Sequence, residues 1–211
     1  LEGEGYHTYN DNDGDVTGAH SIAFGNSDYH YDAMGDGTSY SEAAAQLLYE
    51  VGVSVEMNYG CDESGSFVIG KSPGHAEYAF VEYFKFDDAI SGIYRSSLND
   101  QNFISLLKNE LDSNRPFIYT GFNDEGGHAW NIDGYDGDKF HMNWGWGGQH
   151  NGNFTLPTPD DCDLMSTDYC FPDNQSALIG IQPEELNHPN LKLTSYSSYE
   201  TSGDGDAVIN P

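Results

Sequence analysis

Apolar positions change their spacing once along this chain, and the change separates a helical part from a sheet-forming part. Over residues 39–51, Ser39 or Ser41 is placed to cap a helix, Glu42 favours its first turn, and Ala44, Leu47, Leu48 and Val51 fall on one helical face. Gly52 is expected to end that helix. Val53, Val55 and Met57 then alternate with Ser54 and Glu56, which predicts a short half-buried strand running into turn residues over 59–66. Helical spacing returns at Ala76, Ala79, Phe80 and Phe84, and again at Phe103, Ile104, Leu107 and Leu111, so 75–84 and 100–111 read as packing helices. After Arg115 and Pro116 the period falls to two. Strands are predicted over 117–122, 128–135, 139–143, 153–156 and 177–181, mostly joined by Gly, Asp and Asn turns. Helices followed by a largely antiparallel sheet make an α+β architecture.

The two ends lack such periodicity. Residues 1–36 are rich in Gly, Asp, Asn, His and Tyr and predict irregular turns with a short strand near 21–24. Asp11, Asn12, Asp13, Gly14 and Asp15 resemble the opening of a calcium loop, but Ile22 stands where an EF-hand supplies its glutamate, which favours a solvated turn. From Pro183 onward Pro, Asn, Ser and Gly displace apolar residues. This predicts one domain over 1–182 and a linker over 183–211, with a strand near 191–193 that would open a further module. The chain starts at Leu1 rather than Met and closes in an unfinished run over 202–211, so both ends are expected to be cuts through a longer polypeptide.

Charge narrows the partners. Seven Lys and Arg stand against 35 Asp and Glu in 211 residues, a formal net charge of −28. A nucleic acid or an anionic membrane surface needs cations that this chain does not supply. At 37% hydrophobic and 14% aromatic, the sequence is too rich in large apolar side chains to be a disordered acidic tract. No apolar stretch approaches the ~18 residues of a membrane span, and no charged-then-apolar signal segment opens the chain. Of the three cysteines, Cys162 and Cys170 share one polar loop and are expected to pair, which implies an oxidising compartment and leaves Cys61 over.

Chemistry concentrates in two runs, Gly126-Gly127-His128-Ala129-Trp130-Asn131-Ile132-Asp133-Gly134-Tyr135 and His141-Met142-Asn143-Trp144-Gly145-Trp146-Gly147-Gly148. Asp136-Gly137-Asp138 between them is a turn, so they should form a hairpin. Pairing about that turn brings Asn143 opposite residues near Trp130, one or two positions from His128, and within expected hydrogen-bond reach of it. A histidine whose ring is held by an asparagine has a fixed tautomer, as a general base requires. Trp144 is placed to cover that bond, and the glycines before His128 and after Trp146 leave room for a substrate backbone. His141 reads as structural or exposed.

With Gly-His-Ala, Asp-Gly and Asn-Trp-Gly-Trp-Gly-Gly in place, the sequence resembles the streptopain family of secreted bacterial cysteine peptidases, a papain-like group. The resemblance implies that His128 is the catalytic base, that Asn143 orients it, and that Trp144 shields the pair and lines the cleft. Residues 51–60 resemble the segment leading into the family's substrate-binding loop, here Ser64, Gly65 and Ser66, with Gly127 and Trp146 also lining the cleft. Residues 175–181 resemble the closing strand, so the similarity covers about 3–182. It implies an endopeptidase acting on proteins or peptides, secreted with a signal and a propeptide, and needing neither cofactor nor metal.

One family element is missing. The nucleophilic cysteine there opens a helix within a Gly-Cys-x-Ala-Thr-Ala-like stretch, and no such stretch occurs in this chain. Cys61 replaces a usual proline, and Cys162 and Cys170 lie in an Asp-rich insertion; none opens a helix, where a thiol pKa is lowered. The nucleophile is therefore expected upstream of Leu1, and this chain alone is expected to be inactive. The alternatives are a non-catalytic extracellular module that binds carbohydrate or calcium, and a pseudoenzyme without its nucleophile. A zinc site of His128, His141 and Asp133 is weaker, because side chains alternate between the faces of a strand.

Overall fold

A computed structural model of the chain describes residues 3–11, 18–35, 39–60, 64–158 and 170–184. The chain divides into two compact units, Leu1–Ile90 and Ser91–Pro211.

In the first unit, helix α1 spans Glu42–Ser54 and starts where Ser41 Oγ accepts a hydrogen bond from the Ala44 N–H at 3.3 Å. Gly52 does not end it. A Cβ there would lie 2.0 Å from the Tyr59 hydroxyl oxygen, so this glycine admits a close neighbour rather than breaking the helix. The helix stops two residues later, and Glu56 then takes a left-handed conformation at φ 51°. The apolar spacing is right only in part: Leu47 packs against the core of this unit, and the other positions diverge. Leu48 is 72% exposed and Val51 39%, whereas Glu50 is buried. Its carboxylate accepts from the Tyr29 hydroxyl at 2.6 Å and from Gln46 Nε2 at 3.0 Å, and these bonds offset the desolvation of a buried charge.

The predicted strand over 53–57 is taken up by α1 and its cap, and only β3, Asn58–Tyr59, is extended, paired with β4, Ser64–Gly65. Strands β1, His7–Asp11, and β2, Gly18–Ile22, form an antiparallel pair of which only the second was foreshadowed. Of the calcium-like stretch, Asp11 is described. Its carboxylate accepts from the Tyr59 N–H at 3.0 Å, and residues 12–15 lie outside the described residues. Helix α2 is Ala76–Glu82. The core of this unit is aromatic, with Phe24 stacked on Tyr83 at 4.6 Å beside Tyr29, Val55, Ala79 and Phe84.

The second unit is a six-stranded antiparallel sheet in the order β5-β10-β6-β7-β8-β9. Its strands are β5, Ser91–Tyr94; β6, Phe117–Asn123; β7, Gly126–Asp136; β8, Lys139–Asn143; β9, Gly152–Phe154; and β10, Asp173–Ile179. The period-two prediction located all of these but β5. Helix α3, Asp100–Asp112, is capped by Asn99, whose side chain accepts from the Asn102 N–H at 2.9 Å. It presents Phe103 and Leu107 to Phe117, Tyr119, Trp130, Ile132, Phe140 and Met142 on one face of the sheet. Each such fully buried side chain contributes about 1.5–3 kcal/mol. Glu110 fastens the end of the helix: Arg115 donates to it twice, at 2.9 and 2.7 Å, and the Gly180 N–H once at 2.9 Å. Together, the α+β expectation holds.

Candidate active site

Strand parity decides what surrounds His128. On β7, His128, Trp130 and Ile132 project to the core face. Counting back from the turn without interruption would set Asn143 opposite Ile132 on that face. The pairing slips instead between Ile132 and Gly134, where Asp133 is an extra residue, so Asn143 pairs with Asn131 and Met142 with Ile132. Asn143 thereby turns to the opposite face, and Trp144 comes to the core face, its ring 4.7 Å from that of Trp130. His141 Nδ1 lies 2.5 Å from Asp133 Oδ1, a half-buried hydrogen bond that holds the extra residue. That pair and His128 face opposite ways, so the three do not form one site.

The expected hydrogen bond between His128 and Asn143 is accordingly not made. His128 Nε2 meets the carbonyl oxygen of Trp144 at 3.0 Å, and Asn143 Oδ1 accepts from the Gly145 N–H at 3.1 Å. A carbonyl only accepts, so Nε2 carries the proton and the basic lone pair is on Nδ1. Asn143 instead closes the turn next to the Trp144 carbonyl through its bond from the Gly145 N–H.

Four rings surround the imidazole. Trp146 stacks on it at 4.8 Å, Phe171 lies at 5.3 Å, and Trp130 and Trp144 lie at 6.0 Å. Trp144 is 1% exposed and excludes water from the carbonyl bond. Burial pushes the His128 pKa below its ordinary value, while the hydrogen bond to the Trp144 carbonyl pulls the other way. We expect the His128 resonances to half-titrate below pH 6.5 in proton NMR. The folded protein then binds fewer protons here than the unfolded chain, so this group's contribution to stability falls as pH drops from 6.5 through the folded value.

Phe171 was not foreseen, because it follows an insertion with no periodicity. It is held tightly against β6, since a Cβ on Gly121, the residue paired with His128, would lie 2.4 Å from the Phe171 carbonyl oxygen. Its neighbour Cys170 is buried and disulfide-bonded, and the Cys170 carbonyl accepts from Asn123 Nδ2 at 3.2 Å. The expected partner Cys162 lies outside the described residues, as does Cys61. Gly127 is exposed and leaves room for the Phe122 ring, which a Cβ would meet at 2.6 Å. Ser64, Gly65 and Ser66 belong to the first unit. Ser64 Oγ accepts from the Gly60 N–H at 3.3 Å, Ser66 Oγ donates to the Val55 carbonyl, and Gly65 opens on free space.

Comparison with known proteins places the chain in a family. The chain is 33% identical over 189 residues to the thiol protease/hemagglutinin PrtT of Porphyromonas gingivalis, matching 84% of this chain and 21% of that protein. It is 39% identical over 144 residues to streptopain of Streptococcus pyogenes, matching 67% of this chain and 35% of streptopain. The chain thus spans between a fifth and about a third of these relatives. Among solved structures, active interpain A cysteine protease of Prevotella intermedia superposes with a TM-score of 0.69 at 27% identity, over 84% of this chain and 74% of that one. A prointerpain A fragment of the same organism gives 0.67 at 28% identity, over 87% and 58%. The model of the Peptidase C10 family matches residues 1–154, the span that holds His128, its carbonyl partner and the tryptophans around them, and the chain belongs to that family.

Proposed function

We propose that this chain is part of a cysteine-type endopeptidase in which His128 is the general base and acid. The observation that carries the proposal is the bond from His128 Nε2 to the Trp144 carbonyl, which leaves Nδ1 as the proton acceptor. In the reaction, Nδ1 takes the proton of a cysteine thiol, and the thiolate attacks the peptide carbonyl. The imidazolium then protonates the leaving amine and an acyl-enzyme remains. Nδ1 next deprotonates a water that releases the acid, and the ring returns to its starting state. Rings on several sides of the imidazole favour its cationic form during the cycle and offset part of the burial penalty. Asn143 is proposed as a positioning residue, and Gly127 and Trp146 are proposed to contact the substrate backbone.

The thiol is proposed to come from a segment outside this chain, because Cys170 is disulfide-bonded and neither Cys61 nor Cys162 opens a helix in the sequence pattern. Protein or peptide substrates follow from the family. An extracellular location is supported by that disulfide, and a propeptide by the existence of a pro-form of interpain A. Among the described residues no helix is long and apolar enough to cross a membrane. The test is labelling of the gene's full-length product by a thiol-directed peptidyl inhibitor, with the adduct located by mass spectrometry. A single modified cysteine supports the proposal; no adduct under reducing conditions refutes it and favours a binding module.

A further inference from the structure

We propose that Asn151 is a positioning residue for the reaction: its side chain holds the backbone of Trp144, and so aims the carbonyl that fixes the His128 tautomer. This rests on the peptidase proposal above. The segment that carries the carbonyl has left the sheet, since β8 ends at Asn143. Strand β9 pairs Phe154, Asn153 and Gly152 with Phe140, His141 and Met142, and the next pair in that register would be Asn151 with Asn143. The ladder stops one pair short of it. Asn151 contributes its side chain there instead, and Oδ1 accepts from the Trp144 N–H at 3.1 Å.

The hairpin register brings the Trp144 carbonyl to the imidazole, but the two backbone torsions of Trp144 set its direction. The N–H of this residue lies in the peptide plane before its Cα, and the carbonyl in the plane after it. Asn151 holds the first plane. Asn143 holds the second, because its Oδ1 accepts from the Gly145 N–H at 3.1 Å. With both planes bonded, the carbonyl that accepts from His128 Nε2 at 3.0 Å has a set direction. The residues that follow supply little restraint of their own: Gly145, Gly147 and Gly148 have φ of 80°, 62° and 83°, and glycine moves between such states at small cost.

Burial makes the Asn151 bond consequential. Trp144 is 1% exposed, so its N–H cannot turn to bulk water when Oδ1 is removed, and an unpaired buried N–H drives the peptide toward another partner. Asn151 is itself well placed to resist that movement. It adjoins Gly152 in the β9 ladder, and its N–H donates to the Gly148 carbonyl at 3.4 Å. A neutral imidazole keeps its proton on the nitrogen that has an acceptor. If the carbonyl turns away, the form protonated on Nδ1 gains population, and that form has no lone pair there to take a thiol proton.

The test uses the gene's full-length product with ¹⁵N-labelled histidine at about pH 8, above the ordinary imidazole range. Long-range proton–nitrogen spectra tell a proton on Nε2 from one on Nδ1, and the His128 signals are those missing from His128→Gln. In Asn151→Ala the Nδ1-protonated form should appear beside the Nε2 form, and kcat should fall about 10- to 100-fold, the scale of a small misplacement, with KM within about twofold. Asn151→Asp keeps an acceptor oxygen in the same place and should restore both readouts. An unchanged tautomer or wild-type kcat in Asn151→Ala, or no restoration in Asn151→Asp, overturns the assignment while leaving the peptidase proposal standing. Asn151→Leu, similar in size, replaces an alanine variant that fails to fold; loss of the fold in both makes Asn151 structural and also overturns the assignment. Cleavage that survives His128→Ala overturns both proposals.

Discussion

His128→Ala in the full-length protein should lower kcat/KM for peptide hydrolysis by about 10³–10⁴-fold while the fold is retained. General acid–base groups contribute on that scale, and groups that act as a unit lose most of their effect when one is removed. The imidazole occupies a partly exposed slot among Trp130, Trp144, Trp146 and Phe171, so truncation opens space to solvent rather than a sealed cavity. Far-ultraviolet dichroism and melting of the variant check that the loss is chemical. His128→Gln keeps a polar side chain without a base and should be equally inactive. Hydrolysis within tenfold of wild type in either folded variant would remove His128 from the mechanism.

Arg115→Met should destabilise the protein by about 2–4 kcal/mol. Removing one member of a fully buried ion pair costs about 3–5 kcal/mol, and the value is discounted because the Arg115 side chain is 29% exposed. The cost arises on Glu110, which is 7% exposed and among the described residues keeps the Gly180 N–H as its hydrogen-bond donor. In the wild type, hydrogen bonding from Arg115 holds the Glu110 carboxyl below its ordinary value of 4.5, against the opposing effect of burial. That depressed value stabilises the fold above pH 4.5 and the contribution is lost as pH falls through the folded value. Without the guanidinium, burial disfavours the charged carboxylate instead, so the variant's deficit should shrink on acidification below pH 4.5. Urea unfolding of both proteins at pH 7 and pH 4 measures this, and a deficit that does not depend on pH would sink the account.

Much of the fold was legible because its signals are local. Period-two spacing located five strands of the sheet, and helix α3 was placed within one residue by Phe103, Ile104, Leu107 and Leu111. What failed depended on contacts distant in sequence. Gly52 reads as a stop, but Tyr59 makes it a point of close approach; Glu50 reads as solvated, but Tyr29 and Gln46 satisfy it inside. At the site, the histidine and its two neighbours in the second run were identifiable, whereas Phe171 carried no spacing signal. The partner of His128 was misassigned by one position, because a bulge leaves no mark in the letters of a hairpin.

That single extra residue has a wider consequence. Along a strand, odd and even positions belong to different surfaces, so one inserted residue exchanges the environments of every pair that follows it. Asn143 and Trp144 are adjacent letters whose places have been traded by Asp133, and the histidine donates its hydrogen bond to a backbone carbonyl rather than to a side-chain amide. In a hairpin with the same letters and no insertion, the asparagine would face the histidine and the indole would face away. A backbone carbonyl is present whatever the residue. The proton on Nε2 is therefore secured by how many residues lie between the turn and the histidine, and substitution of the side chains in between leaves that number intact.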